Sequence, residues 1–188
     1  MKFGPILLIF FPLFPMAQKA SLPLNFNNGA IQLCVSKDDQ MVLLSRSGEM
    51  GYGKIRSEWK RKDITSQKYT PGFFEEVIFF NKDTGFASGY LFNDPDGNSN
   101  FIYHTINGGK KWSTISVGQR GWLIRGAHLD DGQAWLNANN KNIVYTADYG
   151  QTWKKMIVPD NLQRLDHLFF NTKNEGMIGF NNKELAYT

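Results

Sequence analysis

Length, composition and charge limit the classes of protein that this sequence can encode. The chain has 188 residues, enough for one domain with a sizeable core, and its 14% aromatic content and 18 glycines favour β-strands joined by tight turns. Only 20% of the residues are charged and the formal net charge is +4, which disfavours extended disorder and a broad nucleic-acid-binding surface.

The first 20 residues have the composition of a secretory signal peptide. Lys2 supplies a positive charge, and residues 6–14 form an apolar stretch that is shorter than the roughly 20 residues a bilayer span needs. Ala17 and Ala20 offer two cleavage sites. We therefore predict a signal peptide over residues 1–20 and one mature domain over residues 21–188. This organisation predicts export to the periplasm or the extracellular space, with no membrane span after cleavage.

The mature chain has a single cysteine, so no internal disulfide can form and stability must come from the core. Cys34 lies between Leu33 and Val35, which predicts a small buried side chain in a strand. The densest basic run surrounds Trp59 and fits a solvated strand edge, where lysines oppose edge-to-edge pairing. Because no wider basic stripe is present, we predict no nucleic-acid partner. The run consists of Arg56, Lys60, Arg61 and Lys62.

In chain order, short apolar segments alternate with polar turns. Two early strands, at 30–35 and 41–45, precede three units, each with an apolar strand, a turn containing glycine, a second strand, a polar turn and a third strand. The first strands of these units are at 77–80, 127–129 and 168–170, the second at 86–89, 133–136 and 177–180, and the third at 101–105, 143–146 and 185–188. This spacing is typical of antiparallel meanders. One meander cannot bury both of its faces, so several must stack.

Two segments of the chain repeat in register. Residues 103–112 and 144–153 align without gaps: Thr105 and Thr146 are 41 residues apart, as are Trp112 and Trp153. A period near 40 residues is typical of propeller blades. We therefore predict an all-β fold, a β-propeller-type array of four-stranded antiparallel meanders with about four blades. Because Thr188 aligns with Thr146 and no further turn follows, we expect a small or open ring or a truncated longer propeller, and we favour truncation.

Both segments resemble the Asp-box, or BNR repeat, with the pattern Ser/Thr-x-Asp-x-Gly-x-Thr-Trp/Phe. Residues 146–153 match it fully, and residues 105–112 match it with Asn in place of Asp and Lys in place of Thr. In this turn the Asp or Asn side chain accepts backbone hydrogen bonds, the glycine permits a positive φ, and the tryptophan packs between units. We therefore expect a structural role for Thr105, Asn107, Gly109, Trp112, Thr146, Asp148, Gly150, Thr152 and Trp153.

The wider pattern resembles the photosystem II stability/assembly factor family over roughly residues 70–188. In that family a strand leads into Gly-Trp-Ala-Val-Gly, and an apolar strand leads into Thr-Thr-Asp-Gly-Gly-Lys-Thr-Trp; residues 84–89 and 105–112 are similar to these stretches. Sialidases and sortilin-like receptors carry such boxes too. The resemblance implies a propeller used as an assembly or binding scaffold, and it does not imply photosynthesis.

The sequence lacks the patterns of catalytic and metal sites. The Arg-Ile-Pro start motif of sialidases is missing, and Glu75 and Glu76 should point to opposite faces of a strand rather than form an acid pair. Residues 94–98 lack the glutamate of a calcium loop, and the histidines lack metal-ligand spacing. We expect no catalytic residue, no metal and no cofactor. Residues 120–125 form a strand that could face a central channel, which makes three of them candidates for ligand contact beside their reading as ordinary strand residues: Arg120, Trp122 and Arg125.

These observations favour an exported, non-enzymatic binding or assembly scaffold for protein partners. Two alternatives stay open: a sialidase-like protein that binds or hydrolyses glycans, and a secreted interaction or immunity factor. Turnover of fluorogenic glycosides would exclude the scaffold hypothesis. Pull-down from the native envelope would discriminate the interaction factor from the other two hypotheses.

Overall fold

The computed structural model describes residues 30–36, 38–54, 58–64, 71–91, 100–117, 123–138, 142–156, 158, 165–180 and 185–187. The predicted signal peptide lies outside these residues and stays a prediction. Every regular element in the described part of the chain is a β-strand. No helix within it is long and apolar enough to cross a bilayer.

The strands form four sheets that follow one another along the chain. Sheet 1 contains β1 (Ala30–Val35), β2 (Met41–Ser45), β3 (Glu49–Gly53) and β4 (Lys60–Asp63). Sheet 2 contains β5 (Pro71–Phe79), β6 (Gly85–Leu91), β7 (Asn100–Thr105) and β8 (Ser113–Ile115). Sheet 3 contains β9 (Leu123–His128), β10 (Ala134–Ala138), β11 (Asn142–Thr146) and β12 (Lys154–Met156). Sheet 4 contains β13 (Leu165–Thr172), β14 (Glu175–Phe180) and β15 (Leu185–Tyr187).

Within each sheet, every strand pairs antiparallel with the next strand in the chain. The predicted fold class, an all-β array of propeller-type meanders, is therefore confirmed. Sheet 4 has three strands among the described residues, while sheets 1 to 3 have four. The first strand of sheet 2 is longer than the predicted segment at 77–80, because β5 already begins at Pro71 and buries Phe74 completely.

The sheets stack through their first strands, since β1 contacts β5, β5 contacts β9 and β9 contacts β13. Alternate residues of a strand point to opposite faces of its sheet, so each inner sheet packs against two neighbours. In β5, for example, Val77 and Phe79 face sheet 1, whereas Ile78 belongs to the core shared with sheet 3. In the described residues, an apolar core therefore lies between each pair of neighbouring sheets. Stacking in this way buries the apolar faces that a single meander would leave exposed. As predicted, Cys34 is a buried side chain in the first of these cores.

The strand register defines two opposite faces of the array. What we call the lower face is the edge where first strands end and second strands begin, and where third strands end and fourth strands begin. The upper face is the opposite edge, where second strands end and third strands begin. Arg46, which follows β2, and Phe73, near the start of β5, lie at the upper face. The repeated turns at 105–112 and 146–153 lie at the lower face.

Candidate functional site

The two repeated turns have the same hydrogen-bond network. In the first, the hydroxyl oxygen of Thr105 accepts a bond from the Gly109 N–H at 3.0 Å, and Oδ1 of Asn107 accepts one from the Lys111 N–H at 2.8 Å. The indole N–H of Trp112 donates to the Gly109 carbonyl at 3.0 Å. Side chains thus satisfy the backbone groups that a turn leaves without ladder partners.

The second turn repeats these bonds atom for atom. Thr146 Oγ1 accepts from the Gly150 N–H at 3.1 Å, Asp148 Oδ1 accepts from the Thr152 N–H at 2.9 Å, and the Trp153 indole donates to the Gly150 carbonyl at 3.1 Å. Thr152 Oγ1 adds a bond to Asp148 that Lys111 cannot supply in the first turn. Burial raises the pKa of Asp148, but hydrogen bonds from Thr152 and Thr146 outweigh it and hold that pKa below its usual value.

Each repeated turn docks on the preceding sheet. Gly109 and Gly150 both have positive φ, 76° and 85°, and a Cβ at Gly109 would lie 2.6 Å from the terminal methyl carbon of Met50 in sheet 1. Lys62 of sheet 1 donates from Nζ to the Gly109 carbonyl at 2.7 Å. In the second turn, the carbonyl of Tyr149 lies 3.0 Å from Nε2 of the His104 ring of sheet 2 and is hydrogen-bonded to it. The turns therefore join sheet to sheet.

Removing the Asp148 carboxylate should weaken the second turn. Asp148→Ala leaves the Thr152 N–H without its acceptor and is expected to lower stability by about 1–2 kcal/mol, or roughly 2–8 °C in Tm. Asp148→Asn is the matched control, because the Asn107 oxygen accepts the corresponding bonds from Thr105 and the Lys111 N–H in the first turn, and it should retain most of the stability. Thermal unfolding followed by circular dichroism measures both. Equal losses in the two variants would contradict a hydrogen-bonding role.

A buried carboxylate links the first strands of three sheets. Glu76 of β5 is 5% exposed; its Oε1 accepts a bond from Gln32 Nε2 of β1, and its Oε2 accepts one from the Gly126 N–H of β9 at 2.8 Å. Burial raises the pKa of Glu76 to about 7, against the lowering effect of these bonds and of the Arg125 charge. Glu75 pairs instead with Arg46, so the two adjacent glutamates have different partners.

The predicted ligand-facing residue Arg125 occupies a β-bulge. In the pairing of β9 with β10, Gly126 pairs with Leu136 and Ile124 pairs with Asn137. Arg125 has no partner residue opposite it in β10 and is the extra residue of β9. Its φ of 49° is unusual for a residue other than glycine, and its side chain is exposed. Bulges of this kind re-aim a side chain out of the alternating pattern. The other two predicted residues, Arg120 and Trp122, lie outside the described residues.

A compact polar and aromatic cluster lies at the upper face between sheets 1 and 2. Arg46 has its guanidinium carbon 5.3 Å from the Phe73 ring centre and a nitrogen 3.5 Å from a Glu75 oxygen. The Phe73 ring meets Tyr90 edge to face, with centroids 5.7 Å apart. We call these four residues the Arg46 cluster. Glu75, like Arg125, is the extra residue of a bulge, because Phe74 pairs with Gly89 and Glu76 pairs with the adjacent residue Ser88.

The outer rim between sheets 1 and 2 holds a basic groove of about 300 Å³. Lys62, Lys110, Lys111 and Trp112 line it, but Lys62 is already bonded to the turn carbonyls of Gly109 and Lys110. The side chains of β4 are largely exposed, so the basic run at 60–62 is the solvated strand edge that the sequence predicts. The groove is therefore a seam that fastens the two sheets together.

Glu76, His104 and His128 are titratable side chains whose pKa values are shifted by burial. The described groups that shift the pKa of Glu76 besides burial are Gln32, the backbone of Gly126 and Val77, and Arg125. No group of three or more His, Cys, Asp or Glu side chains in the described part of the chain could hold a metal ion. Burial lowers the pKa of His104 and of His128, which disfavours the charged form of each ring.

Comparisons with known proteins agree with the fold. No protein-family model matches this chain, and no curated protein does. YCF48 bound to a D1 peptide is 16% identical, with a TM-score of 0.58 over 81% of this chain and 46% of that one. The computationally designed Ika4 protein is 13% identical, with a TM-score of 0.61 over 89% of this chain and 94% of the Ika4 chain. PorZ, a surface component of the type-IX secretion system of Porphyromonas gingivalis, is 16% identical, with a TM-score of 0.55 over 88% of this chain and 20% of the PorZ chain.

These likenesses, together with the stacked meanders, define a protein of β-propeller type. The chain spans about half the length of the YCF48 structure, so it corresponds to part of that protein.

Proposed function

We propose that this chain is a non-enzymatic β-propeller scaffold that binds a protein partner at its upper face, through the Arg46 cluster. The observation that carries the proposal is the arrangement of Arg46, Phe73, Glu75 and Tyr90, which joins a cation, a carboxylate and two rings on one rigid surface. Arginine and large aromatic residues carry much of the binding energy in protein interfaces.

Two further observations support this proposal. Phe73, Glu75 and Tyr90 lie on strands β5 and β6, and Arg46 lies in the turn after β2. The N–H of Phe74 donates to the carbonyl of Arg46 at 3.1 Å and ties this turn to β5, which favours an arrangement formed before a partner arrives. A structural neighbour, YCF48, is known with a D1 peptide bound, which makes peptide recognition a precedent for this fold. We further propose that the repeated turns are Asp-boxes with a structural role, and that the protein is exported after removal of residues 1–20.

Charge reversal in the Arg46 cluster should abolish partner capture. Arg46→Glu removes the cation and places a second carboxylate beside Glu75, and Lys155→Glu makes the same charge change on the exposed outer strand β12. Immobilised wild-type protein and both variants are incubated with an extract of the native cell envelope, and captured proteins are quantified by mass spectrometry. We expect one protein to be retained by wild type and Lys155→Glu and reduced at least about 10-fold by Arg46→Glu.

Capture of the same proteins in equal amounts by all three forms would contradict the proposed surface. Turnover of fluorogenic glycosides by the wild-type protein would contradict the non-enzymatic assignment and favour the sialidase-like alternative.

A further inference from the structure

The two ends of the array each leave an apolar surface open. On sheet 1, Leu33 and Val35 of β1 are 53% and 51% exposed. On sheet 4, Phe169 and Met177 are cross-strand partners in β13 and β14 and are 57% and 41% exposed. We call these pairs the sheet-1 end patch and the sheet-4 end patch. Paired apolar side chains this exposed on a regular sheet mark an interaction surface.

The sheet-1 end patch corresponds to a surface that is buried in sheet 2. The turns after β1 and β5 each contain an equivalent hydrogen bond. In the first turn the Ser36 N–H donates to the Gln40 carbonyl, and in the second the Phe80 N–H donates to the Thr84 carbonyl. This shared bond aligns Val35 with Phe79, and therefore Leu33 with Val77. Phe79 and Val77 are each 1% exposed, because sheet 1 packs on them. The sheet-1 end patch is thus built to have another sheet packed against it.

The sheet-4 end patch corresponds to the opposite surface of sheet 2. The cross-strand pair Phe170–Gly176 in sheet 4 matches the pair Phe79–Gly85 in sheet 2, which aligns Phe169–Met177 with Ile78–Phe86. Ile78 and Phe86 are 3% and 0% exposed, because sheet 3 packs on them. The two end patches are therefore the two halves of one inter-sheet contact, and both are open at once in a single chain.

We propose that a second copy of this chain closes the array, with the sheet-4 end patch of each copy packed on the sheet-1 end patch of the other. The contact is head-to-tail and, applied twice about a twofold axis, forms a closed ring. Such a ring has eight sheets, within the four to eight blades that propellers have.

The length of the neighbouring structures favours a second copy as the occupant. This chain covers 46% of the YCF48 structure, so two copies supply about the number of residues in that one chain. The match covers 94% of the designed Ika4 chain and 89% of this chain, so a separate chain of about this length has a similar fold. The competing occupant is a set of further sheets in a longer polypeptide, and it predicts a different solution mass.

The test is the mass of the full chain in solution, measured by light scattering after size exclusion and by sedimentation velocity over a 100-fold range of concentration. We expect twice the 21.5 kDa chain mass. Phe169→Asp and Leu33→Asp each place a charge in both contacts of the ring, and each should weaken the dimer on the order of 100-fold. Ile106→Asp is the matched control, because Ile106 is 68% exposed on a lower-face turn of sheet 2, and it should leave the mass unchanged.

Mixing the two variants tests the head-to-tail geometry. In a mixed dimer, the intact sheet-4 end patch of Leu33→Asp meets the intact sheet-1 end patch of Phe169→Asp, so one contact is native and the mixture should show more dimer than either variant alone. A monomeric wild-type chain at every concentration would overturn the proposal, and so would a dimer that Leu33→Asp dissociates and Phe169→Asp does not. Wild-type mass alone decides the first point, even if one variant fails to fold. Partner capture by the Arg46 cluster is a separate measurement, so either proposal can fail without the other.

Discussion

Trp135→Ala is expected to destabilise the folded chain by about 3–5 kcal/mol, because it leaves a large cavity where sheet 4 attaches to sheet 3. Trp135 is 2% exposed and stacks on Phe170 of sheet 4, with ring centroids 3.8 Å apart and planes inclined by 6°. It also contacts Tyr145 in its own sheet, with centroids 5.2 Å apart. Chemical denaturation followed by circular dichroism measures the loss.

The location of the damage is part of the expectation. In a stacked array, stability depends on contacts between neighbouring sheets, so losing the Trp135 contact should loosen sheet 4 before the others. Amide hydrogen exchange should accelerate at 165–180 while β5 and β6 remain protected. Ile106→Ala, at an exposed position, is the control and should change stability by less than about 0.5 kcal/mol. Uniform acceleration across all four sheets would show that the array unfolds as one unit.

The sequence was sufficient to predict the elements whose signals are local. The residues of the turns at 105–112 and 146–153 lie within eight positions of one another, so glycine, tryptophan and the Asp or Asn stand at readable spacings. The predicted first strands at 77–80, 127–129 and 168–170 coincide with parts of β5, β9 and β13, apart from one residue at the end of each of the first two. The alternation of apolar and polar residues can be recognised within a short stretch of sequence. Predicting these strands therefore does not require knowledge of the neighbouring sheet.

Contacts between sheets could not be predicted in the same way. The alternation rule predicts opposite faces for Glu75 and Glu76, but a bulge at Glu75 interrupts the alternation. The burial of Glu76 depends on Gln32 and Gly126, which are 44 and 50 residues away. The bulge at Arg125 likewise depends on the register between β9 and β10. Neither feature has a signal within a short window of sequence. Sheet 1 was only loosely indicated for a related reason, because its third-to-fourth connection lacks the pattern of the repeated turns and Trp59 stands there alone.

The Arg46 cluster could not be predicted from the sequence either. Arg46 lies in an ordinary polar turn, and nothing near it in the sequence separates it from the other arginines. The binding role proposed for Arg46 depends on Phe73 and Glu75, which β5 brings beside it. The candidate site is therefore a product of the stacking of sheets 1 and 2.

Glu76→Gln is expected to remove a pH dependence from the stability of the wild-type protein. The pKa of Glu76 is raised from 4.5 to about 7 in the folded state, so between these values the folded chain holds a proton that the unfolded chain has released. Stability from this group is therefore complete below about pH 4.5 and is lost as pH rises through about 7. At roughly 1.4 kcal/mol per pKa unit, the loss amounts to about 3 kcal/mol.

Glutamine keeps the shape of the side chain and a carbonyl oxygen for one of the bonds from Gln32 and Gly126, and it never becomes charged. The free energy of unfolding in urea, measured at pH 4.5, 6 and 8 for both proteins, should therefore show Glu76→Gln gaining on wild type by about 3 kcal/mol across the range. Taking the difference cancels the opposite trend from His104 and His128, whose lowered pKa values favour the folded state as pH rises. Glu75→Gln changes the neighbouring carboxylate, which faces Arg46 instead of the core, and should follow wild type. A difference between Glu76→Gln and wild type that stays constant with pH would mean that Glu76 is charged in the folded protein, held so by Arg125 and the two hydrogen bonds.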